Sequence, residues 1–265
     1  MSSDTPNSST AVPPAILDSI RGAAAVTVLT GAGMSAQSGV PTFRDAQTGL
    51  WARYDPAELA SPDAFSRDPD LVWAWYRRRA QLVAAAEPNA GHHALARWQR
   101  GAGSASVQIA TQNVDDLHER AGSTVLAHVH GMLSAVRCAI CEAPYLDPID
   151  DVADGAERIS PPSCSVCGSL VRPGVVWFGE SLPEDQWDAA SNSVDASDVV
   201  LVVGTSGVVF PFAGLPAQAR SSGAVVIEIN PEETAVSDMA HHVWRATAAQ
   251  SLPALVDLLA GANTP

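Results

Sequence analysis

Four cysteines constrain this chain more than any other feature. They stand as Cys138-Ala-Ile-Cys141 and Cys164-Ser-Val-Cys167, with 22 residues between the pairs and no fifth cysteine. Two CxxC knuckles can surround one metal ion with four thiolates, the arrangement a structural Zn²⁺ prefers. Four sulfur ligands leave no position for water or substrate. Such a metal holds a subdomain together, and the chemistry belongs elsewhere. Two disulfides are the alternative, but a chain of 265 residues buries a full core without such staples, and nothing in it suggests export. A rubredoxin-like iron is the other rival, since tetrahedra of sulfur suit iron as well.

The bulk properties exclude several function classes. A net charge of −14 with His neutral argues against general binding to DNA, RNA or acidic lipid. It favours a cationic partner such as a lysine-rich protein tail. The start, Met1-Ser-Ser-Asp-Thr-Pro6, lacks the basic region and apolar run of a signal peptide, and the apolar stretches are far short of a membrane span. The cytoplasm is therefore the expected location.

Strand and helix patterns alternate along the chain. Residues 1–13 read as a loose polar arm and residues 15–24 as a short helix. Residues 25–30, 106–111, a shorter 125–129, 199–203 and 224–229 read as buried parallel strands. Val175-Val-Trp-Phe178 carries the same pattern. Helical periodicity marks 69–86, with Leu71, Val72, Trp75, Leu82 and Val83 on one apolar side, and further helices are expected at 89–99, 183–193 and 252–259. Residues 48–62 are loop-like, with Trp51 and Tyr54 as anchors. Residues 136–172 hold both CxxC pairs around a Pro/Asp/Gly-rich middle, which marks an inserted module. Strands alternating with helices predict an α/β fold with a mostly parallel sheet covered on both faces.

Ligands of such sheets lie beyond the carboxyl ends of the strands. Gly31, Gly33, Gly204 and Asn230 all follow predicted strands. Glycines there permit a tight turn and close approach by a pyrophosphate. Ser35, Thr205 and Ser206 can add hydroxyl donors. Gly31-Ala-Gly-Met-Ser-Ala36 lacks GxGxxG, and no GxxxxGK[ST] occurs, so an ordinary dehydrogenase and a P-loop NTPase are both disfavoured.

Longer motifs are more specific. Gly31-Ala-Gly-Met-Ser-Ala-Gln-Ser-Gly-Val-Pro-Thr-Phe-Arg44 resembles the first signature of the sirtuins, the NAD-dependent protein lysine deacylases, and Thr111-Gln-Asn-Val-Asp-Asp-Leu-His118 resembles the second. His130-Gly131, the two CxxC pairs, Val176-Trp-Phe-Gly-Glu180, Gly204-Thr-Ser206 and Ile229-Asn230 follow in family order. The resemblance covers roughly residues 15–262. It implies a Rossmann-like NAD-binding domain over 14–45, 91–135 and 173–262. A smaller domain is then formed by a helical insertion at 46–90 and a zinc-binding insertion at 136–172. It further implies that Gly31, Ala32, Gly33, Ser35, Phe43 and Arg44 border the NAD cosubstrate, that Gln112, Asn113 and Asp115 shape its ribose and nicotinamide region, and that Gly204, Thr205, Ser206, Asn230 and Ala248 hold the phosphates and adenosine side. Cys138, Cys141, Cys164 and Cys167 would bind one Zn²⁺. Val176, Trp177, Phe178 and Gly179 would line the acyl-lysine tunnel or pair with peptide backbone.

The reaction implied removes an acyl group from a protein lysine and gives nicotinamide and an O-acyl-ADP-ribose. It needs a neutral imidazole to take a proton from a ribose hydroxyl, work suited to a histidine near its normal pKa. His130 occupies the family's His-Gly position. His118 and His128 are the local rivals, and each is expected to be structural or exposed. Asn113 and Asp115 complete the catalytic set, as groups that orient carboxamide and water. A buried Asp at a helix start is the plainer role for Asp115. Mono-ADP-ribosyl transfer and a non-catalytic NAD or acyl-lysine binding module are the alternatives.

Two features bear on the acyl group. The chain reads Pro41-Thr42-Phe43-Arg44 where many deacetylases of the family read Pro-Asp-Phe-Arg. Tyr76-Arg-Arg-Arg79 resembles the Tyr-x-x-Arg pair of the desuccinylase and demalonylase branch, in which the phenol and guanidinium bind the acyl carboxylate. Tyr and Arg three apart share a helix face, and Arg offers a rigid, permanently charged fork. Ala60 leaves room for the larger head. Arg77 and Arg78 are expected on a solvated face. Acylated lysines of proteins are the expected partners, acted on by a monomer with no nucleic acid or membrane involved.

Overall fold

The computed structural model describes residues 11–40, 56–101, 105–151, 153 and 156–261. Phe43, Arg44, Trp51, Tyr54 and most of the N-terminal arm lie outside the described residues. Six strands form one sheet: β1 (Ala25–Thr30), β2 (Ser106–Thr111), β3 (Ala127–His128), then, after a separate hairpin of β4 (Arg137–Cys138) and β5 (Val171–Arg172), β6 (Val199–Val203), β7 (Val225–Ile229) and β8 (His242–Trp244). The sheet order is β3-β2-β1-β6-β7-β8, and every pair is parallel. The chain winds outward from β1 to one edge, then returns to start again at β6. A crevice therefore opens between the ends of β1 and β6, where parallel sheets bind ligands.

The continuous apolar strands are explained by burial on both faces. On one face Val26, Val28, Leu201, Val203, Ile227 and Ile229 pack under α1 (Pro14–Arg21), α6 (Ala90–Gln99) and α10 (Ala248–Gly261). On the other, Leu29, Val200, Val202 and Val226 pack under α8 (Glu184–Asp195) and α9 (Leu215–Ser221). Helix α2 (Ala32–Ser35) follows β1 at once, and α7 (Leu117–Arg120) follows β2.

Beyond the strand ends lie α3 (Pro56–Leu59), α4 (Pro62–Arg67) and α5 (Pro69–Ala85). Helix α4 is capped by the Ser61 side chain accepting from Ala64 N–H at 3.1 Å, and α5 by Asp68 accepting from Leu71 N–H at 3.2 Å. Helix α5 is buried on two sides. Leu71, Val72, Trp75, Tyr76 and Val83 pack in one cluster with Trp177, of which Tyr76, Val83 and Trp177 line the cleft, whereas Trp73 packs with Cys138, Cys164 and Val171 of the cysteine module. Leu82 is exposed, so the single apolar side expected from periodicity is redrawn. Arg77 donates to the Ile149 carbonyl at 3.4 Å and so docks the module rather than facing solvent. Arg158 adds a two-pronged bond to the Asp68 carboxylate at 2.6 and 2.5 Å.

The strand expected at 175–178 does not form. Only Val175 makes an isolated antiparallel bridge, with Gly131. The carbonyls of Pro173 and Val175 accept from the Arg172 side chain instead of a neighbouring strand. The loop expected over 48–62 contains α3 in its described part.

Candidate active site

The floor of the crevice is main chain on main chain. Gly31 N–H donates to Val203 C=O at 3.0 Å, Gly33 N–H to Gly204 C=O at 2.7 Å and Gly204 N–H to Ile229 C=O at 3.0 Å. A Cβ on Gly33 would lie 2.7 Å from Gly204 Cα, and one on Gly204 would lie 2.5 Å from Gly33 C. Gly204 also has φ +62°, the left-handed region that favours glycine. Above this floor Gln112 Nε2 donates to Thr205 Oγ1 at 2.8 Å, joining the ends of β2 and β6, and Asn230 Nδ2 donates to Thr205 C=O at 3.1 Å. The result is a cleft of about 1320 Å³. Ala32, Gly33, Ser35, Gln112, Asn113, Asp115, His130, Gly204, Thr205, Ser206 and Asn230 all line it, and Gly31 lies just beneath. Ala248 stands apart. It begins α10 in the core, pressed against Gly91 of α6, and is not among the lining residues.

The polar side chains form one connected set. Asn113 Nδ2 donates to Gly31 C=O at 3.0 Å and to Ser35 Oγ at 3.3 Å. Ser35 Oγ donates to Asp115 Oδ2 at 2.9 Å, while Asp115 Oδ1 accepts from Leu117 N–H at 3.1 Å. Asp115 thus starts α7 with one oxygen and faces the cleft network with the other. Burial raises its pKa, opposed by the Ser35 and Leu117 bonds. Behind Ser35 sits His92, a residue the sequence reading did not single out. Its Nδ1 accepts from Asn89 N–H at 3.2 Å, which leaves Nε2 to carry the proton 3.5 Å from Ser35 Oγ. The signal was the Asn89-Ala-Gly-His92 spacing of a capping box at the start of α6. His118 is buried against His92 with ring centroids 4.9 Å apart and reaches Thr30 Oγ1 at 3.1 Å. Burial pushes His92 down to about 4 and His118 to about 3. His128 pairs with Glu119 at 2.6 Å.

His130 follows β3 on the turn made by Gly131, whose φ is +72°. Its Nδ1 lies 3.2 Å from the Gln112 carbonyl. Only a protonated Nδ1 makes that bond, so Nε2 keeps its lone pair for the cleft. Burial lowers the His130 pKa below the ordinary value, opposed by the Gln112 carbonyl, and the ring is neutral at pH 7. Its own carbonyl accepts from Val176 N–H at 2.9 Å, tying it to the next wall.

That wall is the segment 173–180, held by Arg172. The guanidinium donates to Glu180 Oε1 at 2.5 Å and Oε2 at 2.8 Å, and to the carbonyls of Val175 and Pro173 at 3.0 and 3.4 Å. It also stacks over the Trp177 ring at 3.4 Å. For Glu180, burial acts to raise the pKa, but the bonds from Arg172 and Trp177 N–H outweigh it and hold it low. Val176, Trp177, Phe178 and Gly179 all line the cleft, as do Ala60, Tyr76 and Arg79, and Trp177 packs with Ala60 and Tyr76. Phe178 N–H donates to Ala60 C=O at 2.9 Å. Burial raises the Tyr76 pKa, opposed first by the Arg79 charge, so the phenol stays protonated. Arg79 lies 5.0 Å over the Trp75 ring.

The four cysteines converge outside the lining of this cleft. Their sulfurs all lie within 4.8 Å of one another, with Cys138 to Cys167 at 3.5 Å and Cys141 to Cys164 at 3.7 Å. Tetrahedral Zn²⁺ with bonds near 2.3 Å sets sulfurs ~3.8 Å apart. Ile140 and Cys141 N–H point at Cys138 Sγ at 3.4 and 3.5 Å, and Val166 N–H at Cys164 Sγ at 3.4 Å, as befits thiolates. No disulfide joins them. The residues fit one zinc ion, whose role there is to hold the module.

A doubly wound sheet with glycines at its switch point, a neutral imidazole in the cleft and a tetrathiolate module beside it defines a class of nucleotide-dependent enzyme. The chain matches the Sir2 family over residues 31–211, and it belongs to that family. It is similar to "NAD-dependent protein deacylase 2" of Corynebacterium efficiens, 51% identical over 89% of this chain and 93% of the relative. The "NAD-dependent protein deacylase" of Mycobacterium tuberculosis is 52% identical over 88% and 97%. Among solved structures, a Sir2 homologue in complex with NAD superposes with a TM-score of 0.84 at 45% identity, covering 94% of each chain. A Sir2 homologue carrying 2'-O-acetyl ADP ribose gives 0.85 at 44%, covering 95% and 98%. Among the described residues, no helix is long and apolar enough to cross a membrane.

Proposed function

We propose that this protein is an NAD-dependent protein lysine deacylase and that His130 is its general base. The observation that carries this reading is the imidazole itself, neutral, anchored through Nδ1 and presenting Nε2 to the cleft that also holds the strand-end glycines. NAD supplies the ribose carbon that receives the acyl oxygen. Nε2 of His130 takes the proton of a ribose hydroxyl. Asn113, held by Gly31 and Ser35, presents its amide toward the same space, and Asp115 keeps Ser35 oriented. Thr205, Ser206 and Asn230 face the phosphate and adenosine portion. The division into a sheet domain over 14–45, 91–135 and 173–262 and a small domain from 46–90 and 136–172 is part of the reading, with the cleft between them. The protein substrate enters there with its acyl-lysine.

The acyl group is acetyl, and also succinyl or malonyl. Tyr76 and Arg79 lie one helical turn apart on the cleft side of α5, with a protonated phenol to donate and a guanidinium to pair with a carboxylate. Incubating the protein with acetyl, malonyl and succinyl forms of one peptide, with and without NAD, tests the reading. Mass spectrometry should show nicotinamide and O-acyl-ADP-ribose. Turnover that persists without NAD refutes it, label on the protein instead of free product indicates ADP-ribosyl transfer, and tight binding without product indicates a binding module. Arg79→Met should lower kcat/KM for the acidic acyl groups about tenfold to a hundredfold and leave acetyl unchanged.

A further inference from the structure

The acyl end of the cleft contains one polar group that the reading above leaves without work. Trp177 is 3% exposed. Its ring lies under the Arg172 guanidinium, 5.3 Å from the Phe65 ring and 6.2 Å from that of Tyr76. Its backbone N–H is satisfied by Glu180 at 2.8 Å. The indole Nε1–H is buried and has no aligned hydrogen bond. It sits beside the Tyr76 hydroxyl, close enough to oppose the burial that raises the phenol's pKa. Buried donors are nearly always paired, and one that is not calls for a ligand or a water.

We propose that Trp177 is a third reader of the acyl head, its indole N–H donating to the terminal carboxylate of a dicarboxylic acyl group. This rests on the acidic-acyl reading of Tyr76 and Arg79. A carboxylate offers about four acceptor positions. The Arg79 fork uses two and the Tyr76 hydroxyl one, which leaves one for a neighbouring donor. Indole nitrogen can only donate, so the methyl of an acetyl group gives it nothing. The Arg172 cation over the ring withdraws electron density and makes the N–H a stronger donor. The Arg172–Glu180 bonds fix the ring so that the N–H does not turn away.

Trp177→Phe keeps an aromatic ring in the cluster and removes the N–H. The test is kcat/KM for acetyl, malonyl and succinyl versions of one peptide in wild type, Trp177→Phe and Arg79→Met, all zinc-loaded. The expected result is that Trp177→Phe lowers kcat/KM for the acidic acyl groups about tenfold or more beyond any loss on acetyl. Equal losses on all three substrates would make Trp177 a packing residue and overturn the proposal. Succinyl turnover that collapses in Arg79→Met but not in Trp177→Phe overturns the proposal alone. Absence of wild-type succinyl and malonyl turnover overturns the acidic-acyl reading and this proposal together. Should Trp177→Phe fail to fold, the native protein decides. With ¹⁵N-labelled tryptophan, one of the seven indole N–H resonances should move downfield on adding succinyl-lysine peptide without NAD, and not on adding the acetyl peptide. No such selective movement overturns the proposal.

Discussion

Replacing Gly204 with Ala probes the backbone contact on which the cleft is built. The new Cβ would lie 2.5 Å from Gly33 C and from Met34 N, both main-chain atoms that cannot swing aside. The residue would also be held at φ +62°. A side chain in that region costs roughly 1–2 kcal/mol, and an extra carbon forced into a packed interior roughly 1–3 kcal/mol. Both act at Gly204, so the loss should be roughly 2–5 kcal/mol. Two further variants separate the terms. Gly223→Ala has φ +94° and nothing within 4 Å of the new carbon, so only strain of roughly 1–2 kcal/mol is expected. Gly33→Ala has an ordinary φ but a Cβ 2.7 Å from Gly204 Cα, so only crowding of roughly 1–3 kcal/mol is expected. Urea denaturation at fixed zinc measures stability, and titration calorimetry measures NAD affinity. The Gly33 and Gly204 variants should lose affinity for NAD while Gly223→Ala keeps it. Equal destabilisation at 204 and 223, or wild-type NAD affinity in Gly204→Ala, would refute the reasoning.

Three further outcomes follow from charge and metal. His130 has a lowered pKa, so the acid limb of kcat/KM should fall below pH 6.5 and vanish with the activity in His130→Ala, and a limb at or above the ordinary histidine value contradicts the assignment. His92 and His118 titrate near 4 and 3 in the fold but near 6.5 when unfolded, so the unfolded chain binds more protons below pH 6.5 and stability drops as pH falls. The pair should account for about 2 kcal/mol between pH 6.5 and 5.5, and His118→Gln should flatten that slope, measured by denaturation at each pH. Elemental analysis should find one zinc per chain, lost in Cys141→Ser, and a protein that lacks zinc while all four thiols are reduced counts against the site.

Legibility in the sequence followed burial. Strands β1, β6 and β7 are covered on both faces and read as nearly continuous apolar runs, while β2 is buried only over Ile109–Thr111 and its Val107, Ile109 and Ala110 were enough to place it. Edge strand β3 has only two residues and still fell inside the strand read at 125–129, whereas β8 has three, begins at His242 and was not read. Val175–Phe178 looked like a strand because its side chains are apolar. They face a cleft wall, and Arg172 takes the carbonyls a partner strand would have used. Helix α5 defeated simple periodicity because two different bodies cover it. The strand-end glycines, Asn113, Asp115 and His130 were readable because motifs preserve local spacing. His92 and the Arg172–Glu180 clamp depend on contacts made only after folding. Ala248 was assigned to the cofactor by resemblance, yet its backbone serves the packing of α6 on α10.

Helix α5 turns Trp73 toward the cysteine module and Tyr76, three residues on, toward the acyl wall. One helix is thus shared by the cysteine module and the wall proposed to read the acyl group, while the glycine floor is main chain of the sheet itself. If that wall reads the acyl group as proposed, zinc content becomes a hidden variable of selectivity. A preparation short of metal would be a mixture of molecules with one dinucleotide cleft and two acyl spectra. Apparent promiscuity in such a sample would report its metallation history as much as the shape of its pocket.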